Sequence, residues 1–220
     1  MRLELIDGIR MLIIAFLAYI PTVTISGWFT AWVAKKCDDD LPERLGFLTL
    51  DPFAHFSLVG FALLLIGTFF GSYITLFKDF PGFGRYIFLE PAPTTSKAKA
   101  ALEFFARALA HFIMLSTIFL IMFVFFKSSF FSLSFWTSQV EPFLSAVKYV
   151  SFFFFKQNMI LCNIYFLFGV ADIICFSFSI PRFFSMHYFV ILIVTLLLLS
   201  DLVSLLLTKY LGLLQYVFAA

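Results

Sequence analysis

Side chains able to bind a metal or move a proton are few in this chain of 220 residues, and most lie in apolar surroundings. Its three histidines, His55, His111 and His187, and its three cysteines, Cys37, Cys162 and Cys175, are scattered over four segments and include no CxxC pair. A scattered donor set of this kind predicts no metal centre, and an odd cysteine count leaves no disulfide framework. Glu103, Arg107 and His111 are spaced by four, so a helix would place them on one face. They would form an ion-paired ladder, a proton relay, or, more simply, an anchor whose charged ends snorkel to a membrane surface. Asp172 and Asp201 interrupt long apolar runs, where an ionised carboxylate is costly unless paired or wet. The chain contains no GxSxG, phosphate-binding loop or dinucleotide fingerprint, and GFG at Gly82 to Gly84 is too short to count as one.

The elements that must position these residues follow from composition. Apolar residues make up 62% of the chain, aromatics 21% and charged residues only 13%. Soluble domains carry about 45–50% apolar and about 25% charged residues, so too little polar surface remains to cover a globule in water. The expected fold class is an all-α integral membrane protein, a single polytopic domain over residues 1–220. A net charge of +2 is too weak a bias for a nucleic-acid partner.

Crossing about 30 Å of hydrocarbon at about 1.5 Å per residue takes about 20 apolar residues. Five segments qualify: residues 11–33, 53–77, 104–126, 149–178 and 188–207. The apolar stretch at 130–143 reads as an interfacial loop or a short sixth span, so the expected number of spans is about five, between four and six. Pro21 predicts a kink in the first, because it lacks the donor for the Leu17 carbonyl. The turn-rich stretch 78–99, with Pro81, Gly82, Gly84, Pro91 and Pro93, precedes Ser96, which suits a helix cap. The N-terminal apolar stretch is longer than a signal-peptide core and reads as a retained helix. Five crossings put eight Lys and Arg on the N-terminal side and seven on the other, which decides no orientation. The 35 phenylalanines, including the run Phe152 to Phe155, read mainly as lipid-facing bulk.

Residues 31–60, AWVAKKCDDDLPERLGFLTLDPFAHFSLVG, resemble the segment that follows the zinc-binding helix in site-2 proteases, in particular the compact bacterial-type branch of these intramembrane metalloproteases. The family pattern there is HExxH, AxxVA, then a polar loop ending RLTLNPxxHxDPxG. Leu48, Thr49, Leu50, Pro52, His55 and Gly60 fall on it, while Asp51, Ser57 and Leu58 depart from it. Residues 81–110 are similar to the family's loop and small-residue-rich helix, and 180–214 to its C-terminal hairpin.

The resemblance implies a site-2-protease-like core, but the HExxH positions hold Ser26, Gly27, Trp28, Phe29 and Thr30. In HExxH two imidazoles four residues apart grip zinc while the glutamate takes a proton from bound water. Neutral hydroxyls replace neither group, and Gly27 has no side chain to act as base. Zinc lowers the pKa of bound water far below that of free water, to about 7, an effect worth about 12 kcal/mol. The third family ligand, an aspartate in NxxPxPPLDG, has its nearest counterpart in NIYFLFGVAD, which keeps Asn163 and Asp172, lacks the prolines and is one residue longer. Asp172 is then either part of a residual polar cavity facing Ser26 and Thr30 or a helix boundary at the membrane surface.

The function expected from the resemblance is that of a pseudoprotease: no enzyme, no metal and no cofactor, but a binding or scaffold subunit for transmembrane segments or a membrane complex. Its partners would be the lipid bilayer and a membrane protein, and its location a multi-pass position in a bacterial-type inner membrane or an organelle membrane. Binding residues would come from His55, Asp172, Glu103, Arg107 and His111. Two alternatives stay open at this stage: an active protease with a site rebuilt from His55 and Asp172, and a transporter or proton path along Glu103, Arg107 and His111.

Overall fold

The computed structural model describes residues 2–70, 82–92, 94–126 and 142–178, and among these it is helical with no strand. The elements are α1 (Arg2–Lys36), α2 (Leu41–Arg44), α3 (Pro52–His55), α4 (Leu58–Phe70), α5 (Lys97–Phe126) and α6 (Pro142–Ser177). Among the described residues three stretches are long and apolar enough to cross a membrane: Gly8–Lys36, Lys97–Met122 and Tyr149–Ser177. Well under half of each is buried within the protein, and the outward residues include Phe16, Leu17, Ile113, Leu120, Phe166 and Leu167. Apolar faces of this kind have lipid as their natural solvent, which makes this a membrane protein.

These three helices correspond to the first, third and fourth segments expected from the sequence. The second segment holds α3 and α4, separated by non-helical Phe56 and Ser57, and its residues 71–77 lie outside the described residues. Residues 71–81, 127–141 and 179–220 lie outside the described residues, and with them most of the 130–143 stretch, the fifth segment, His187 and Asp201. Helix α1 runs unbroken through Pro21. The Thr22 and Thr24 hydroxyls donate to the carbonyls of Ala18 (2.8 Å) and Ile20 (2.7 Å), so each is satisfied within its own helix. Ser96 does cap α5, accepting from the Lys99 N–H at 3.3 Å.

Side-chain pairs fix the directions of the long helices. Lys99 pairs with Asp38 at 2.6 Å, and Ala106 packs with Val33 and Cys37, so α5 runs antiparallel to α1. His111 meets Asn158 and Phe104 meets Phe176, so α6 runs antiparallel to α5. Arg10 lies over Tyr149 and Thr22 meets Asn158, which makes α1 and α6 parallel.

A stretch without helix or strand, residues 82–92, lies along α1, with Phe83 beside Tyr19, Ile87 in a cluster with Ala31 and Phe47, and the Glu90 N–H donating to Asp39 Oδ2 (2.7 Å). Backbone of this kind needs its polar groups satisfied by protein, and the partners are specific. The Tyr19 hydroxyl donates to the Phe83 carbonyl (3.0 Å), and the Arg85 N–H donates to the His55 carbonyl (2.7 Å). Buried Asp39 also accepts from the Leu41 N–H at 2.9 Å. Asp51 caps α3 by accepting from the Phe53 N–H at 3.0 Å, and Pro52 starts that helix without needing a partner for its nitrogen. The short turn that results delivers His55 to the middle of α1.

Candidate functional site

Ser26 and Thr30 are buried on α1, and both hydroxyls turn back on their own helix. Ser26 Oγ donates to the Val23 carbonyl at 3.4 Å and Thr30 Oγ1 to the Ser26 carbonyl at 2.7 Å. Trp28 and Phe29 are half-buried and stack or tilt against Trp32. Between them Gly27 meets His55: a Cβ built on Gly27 would fall 2.1 Å from His55 Nδ1 and 2.8 Å from Cε1. The imidazole therefore fills the volume that any side chain at position 27 would enter.

The hydrogen bonds of His55 fix its tautomer. Nε2 lies 2.7 Å from the Thr49 carbonyl, a group that only accepts, so Nε2 carries the proton and Nδ1 the lone pair. Nδ1 has no hydrogen-bond partner among the described residues and abuts the Gly27 backbone. With 1% of its surface exposed, His55 is held neutral. Burial pushes its pKa down, and the Arg107 charge acts in the same direction, against the Thr49 hydrogen bond and the Asp51 charge.

On α5 the spacing of four does bring Glu103, Arg107 and His111 to one face, and all three are buried, at 0, 7 and 1% exposed. Burial of the whole ladder departs from the expected snorkelling anchor, which would keep its charged ends in contact with water. The Arg107 guanidinium lies 4.4 Å from the Tyr165 ring centroid. Its Nη2 would be 2.9 Å from a Cβ on Gly84, so glycine there gives the arginine its room. His111 stacks on the same Tyr165 ring at 5.3 Å and 3°, and its Nδ1 is 2.8 Å from Asn158 Oδ1. Asn158 Nδ2 donates to the Phe154 carbonyl (2.9 Å) and to Thr22 Oγ1 (3.2 Å). Thr22, Asn158 and Tyr165 were not among the residues singled out from the sequence. Asn158, an amide inside the apolar run 149–178, carried a signal of its own, because a polar side chain there has to find a partner.

Asp172 stands apart from these groups. The pairs Arg10 with Tyr149 and Thr22 with Asn158 set a parallel register in which Ser26 is level with Cys162. Asp172 then lies ten residues, about 15 Å, further along α6, near the level where α1 ends at Lys36. It is half-buried, and this position matches a helix boundary rather than a cavity shared with Ser26, Thr30 or His55.

The donors among the described residues do not fit the zinc of the family that the sequence resembles. Among the described residues no three His, Cys, Asp or Glu side chains converge as metal ligands. Cys37, buried at the end of α1, has its thiol pKa pushed up by burial and then by the Glu103 charge, away from the thiolate a metal would need. No protein-family model, curated protein or solved structure matches the chain.

Proposed function

We propose that this chain is a non-catalytic, site-2-protease-like protein that spans the membrane several times and serves as a binding or scaffold subunit for a transmembrane segment or a membrane complex. The observation that carries the reading is the packing of Gly27 against His55. At the position corresponding to the family's catalytic glutamate there is only a backbone, and a neutral imidazole lies on it. One residue before it and three after it, where imidazoles would grip zinc, the serine and threonine hydroxyls are spent on helix carbonyls. A water bound there would have neither a metal to acidify it nor a carboxylate to take its proton. Asp172, about 15 Å along the bundle, supplies no third ligand to this spot.

Binding is the function that remains for such a core. The long helices present apolar faces outward, and the polar segments that could meet a partner, around 37–51 and 82–97, are short. The partner is therefore a membrane-embedded segment, and the site is an integral membrane of the bacterial inner or organelle type. The test is incubation of the purified protein in lipid with transmembrane reporter peptides, with and without added zinc. Intact reporters in both conditions support the proposal, and cleavage abolished by a chelator would overturn it.

A further inference from the structure

We propose that the seam between α1, α5 and α6 holds a binding site for a hydroxyl group, shared between Arg107 Nε and His111 Nε2. Asn158 determines what His111 offers. Because Asn158 Nδ2 donates to the Phe154 carbonyl, which only accepts, its other terminus facing His111 is the oxygen. That oxygen accepts from His111 Nδ1–H, so the neutral ring carries its lone pair on Nε2. Thr22 holds the amide from the other side, its own hydroxyl proton directed to the Ala18 carbonyl.

Two orphaned atoms result, an acceptor at His111 Nε2 and a donor at Arg107 Nε, neither with a hydrogen-bond partner among the described residues. Both side chains lie against the Tyr165 ring, at 4.4 Å and 5.3 Å from its centroid, one helical turn apart on the same face of α5. Buried polar atoms are almost always satisfied, and a single group serving both atoms has to accept one hydrogen bond and donate one. A carboxylate, carbonyl or halide only accepts, and an ammonium only donates. A trans peptide has both functions, but they point in opposite directions and cannot both face one side of a helix. A hydroxyl meets the requirement with a single atom. Water inside the bundle and the alcohol of an apolar membrane molecule are its two sources, and a water bridging a donor and an acceptor is a familiar component of protein interiors.

Neither residue belongs to the stretch Ser26 to Thr30, so failure here leaves the proposed function standing. The test is solid-state magnetic resonance of the full chain in lipid nanodiscs with nitrogen-15 in histidine, using His111→Phe to assign the His111 signals. The expected result is an unprotonated Nε2 shifted upfield of a bare lone pair, with magnetisation transfer from a hydroxyl proton. A further correlation of the site with carbon-bound alkyl protons, which do not exchange in deuterated water, identifies an alcohol, its absence identifies water, and Arg107→Met should weaken the transfer in either case. An unshifted Nε2 without hydroxyl transfer, a protonated Nε2, or transfer unchanged in Arg107→Met would overturn the site.

Discussion

Replacing Gly27 with alanine tests the packing on which the functional proposal rests. The new Cβ would fall 2.1, 2.8 and 2.9 Å from three atoms of the His55 ring, so the ring must retreat by more than 1 Å to regain ordinary contact. It has little freedom to do so, being tied through Nε2 to the Thr49 carbonyl and through its own carbonyl to the Arg85 N–H. Overpacking of this kind costs about 1–3 kcal/mol, and a weakened Thr49 hydrogen bond adds about 1 kcal/mol. Exchanging glycine for alanine inside a helix returns about 1 kcal/mol, leaving a net loss of about 1–3 kcal/mol. For a chain of this size that lowers the melting temperature by about 2–10 °C, readable by fluorescence of Trp28 and Trp32 on the same helix. In a His55→Ala background the obstruction is gone, so Gly27→Ala should become neutral or stabilising, and the double-mutant cycle isolates the contact. If Gly27→Ala alone stabilises the protein by its helix preference, the ring does not rest on Gly27 and the reasoning fails.

Three further outcomes follow from the same geometry. The folded-state pKa of His55 lies below its unfolded value near 6.5, so the unfolded chain binds more protons in acid, and stability should fall as pH drops below about 6.5; His55→Asn should flatten the melting temperature between pH 7.5 and 5 relative to the parent, and an identical pH profile would contradict its burial as a neutral group. Asn158→Leu strands the His111 Nδ1 proton and should cost about 1–3 kcal/mol by thermal melting, whereas Thr22→Val, which leaves the Phe154 bond intact, should cost less; equal losses would argue against Asn158 as the centre of the network. Because Lys99 pairs with Asp38, cysteines placed at Leu45 and Thr94 should react with an impermeant thiol reagent from the same side of the membrane, and one at Arg10 from the opposite side; labelling of Leu45 and Thr94 positions from opposite sides would refute the antiparallel arrangement of α1 and α5.

Long apolar runs made three of the helices legible in the sequence, because roughly twenty apolar residues in a row have few other fates. The spacing of Glu103, Arg107 and His111 likewise revealed their shared face, since the helical repeat alone sets it. Their burial was not legible, because it depends on Asn158 and Tyr165 arriving from α6 about fifty residues away. Residues 53–77 read as one apolar segment by hydropathy, a measure that gave no sign of the break at Phe56 and Ser57 between α3 and α4. The meeting of Gly27 with His55 was equally hidden, since a close approach between a helix and a distant turn leaves no periodic trace, although the resemblance had already drawn attention to both positions. Asp172 shows the opposite case: sequence left cavity and helix end balanced, and only the register of α6 against α1 favours the helix end.

The central claim is that the middle of α1 offers no seat for a hydrolytic metal. Elemental analysis of the full chain, expressed with excess zinc, purified in lipid and dialysed, measures this directly. The account predicts well under one equivalent of zinc, unchanged in a variant combining Ser26→Ala and Thr30→Ala. One tightly held equivalent that disappears in that variant would contradict it.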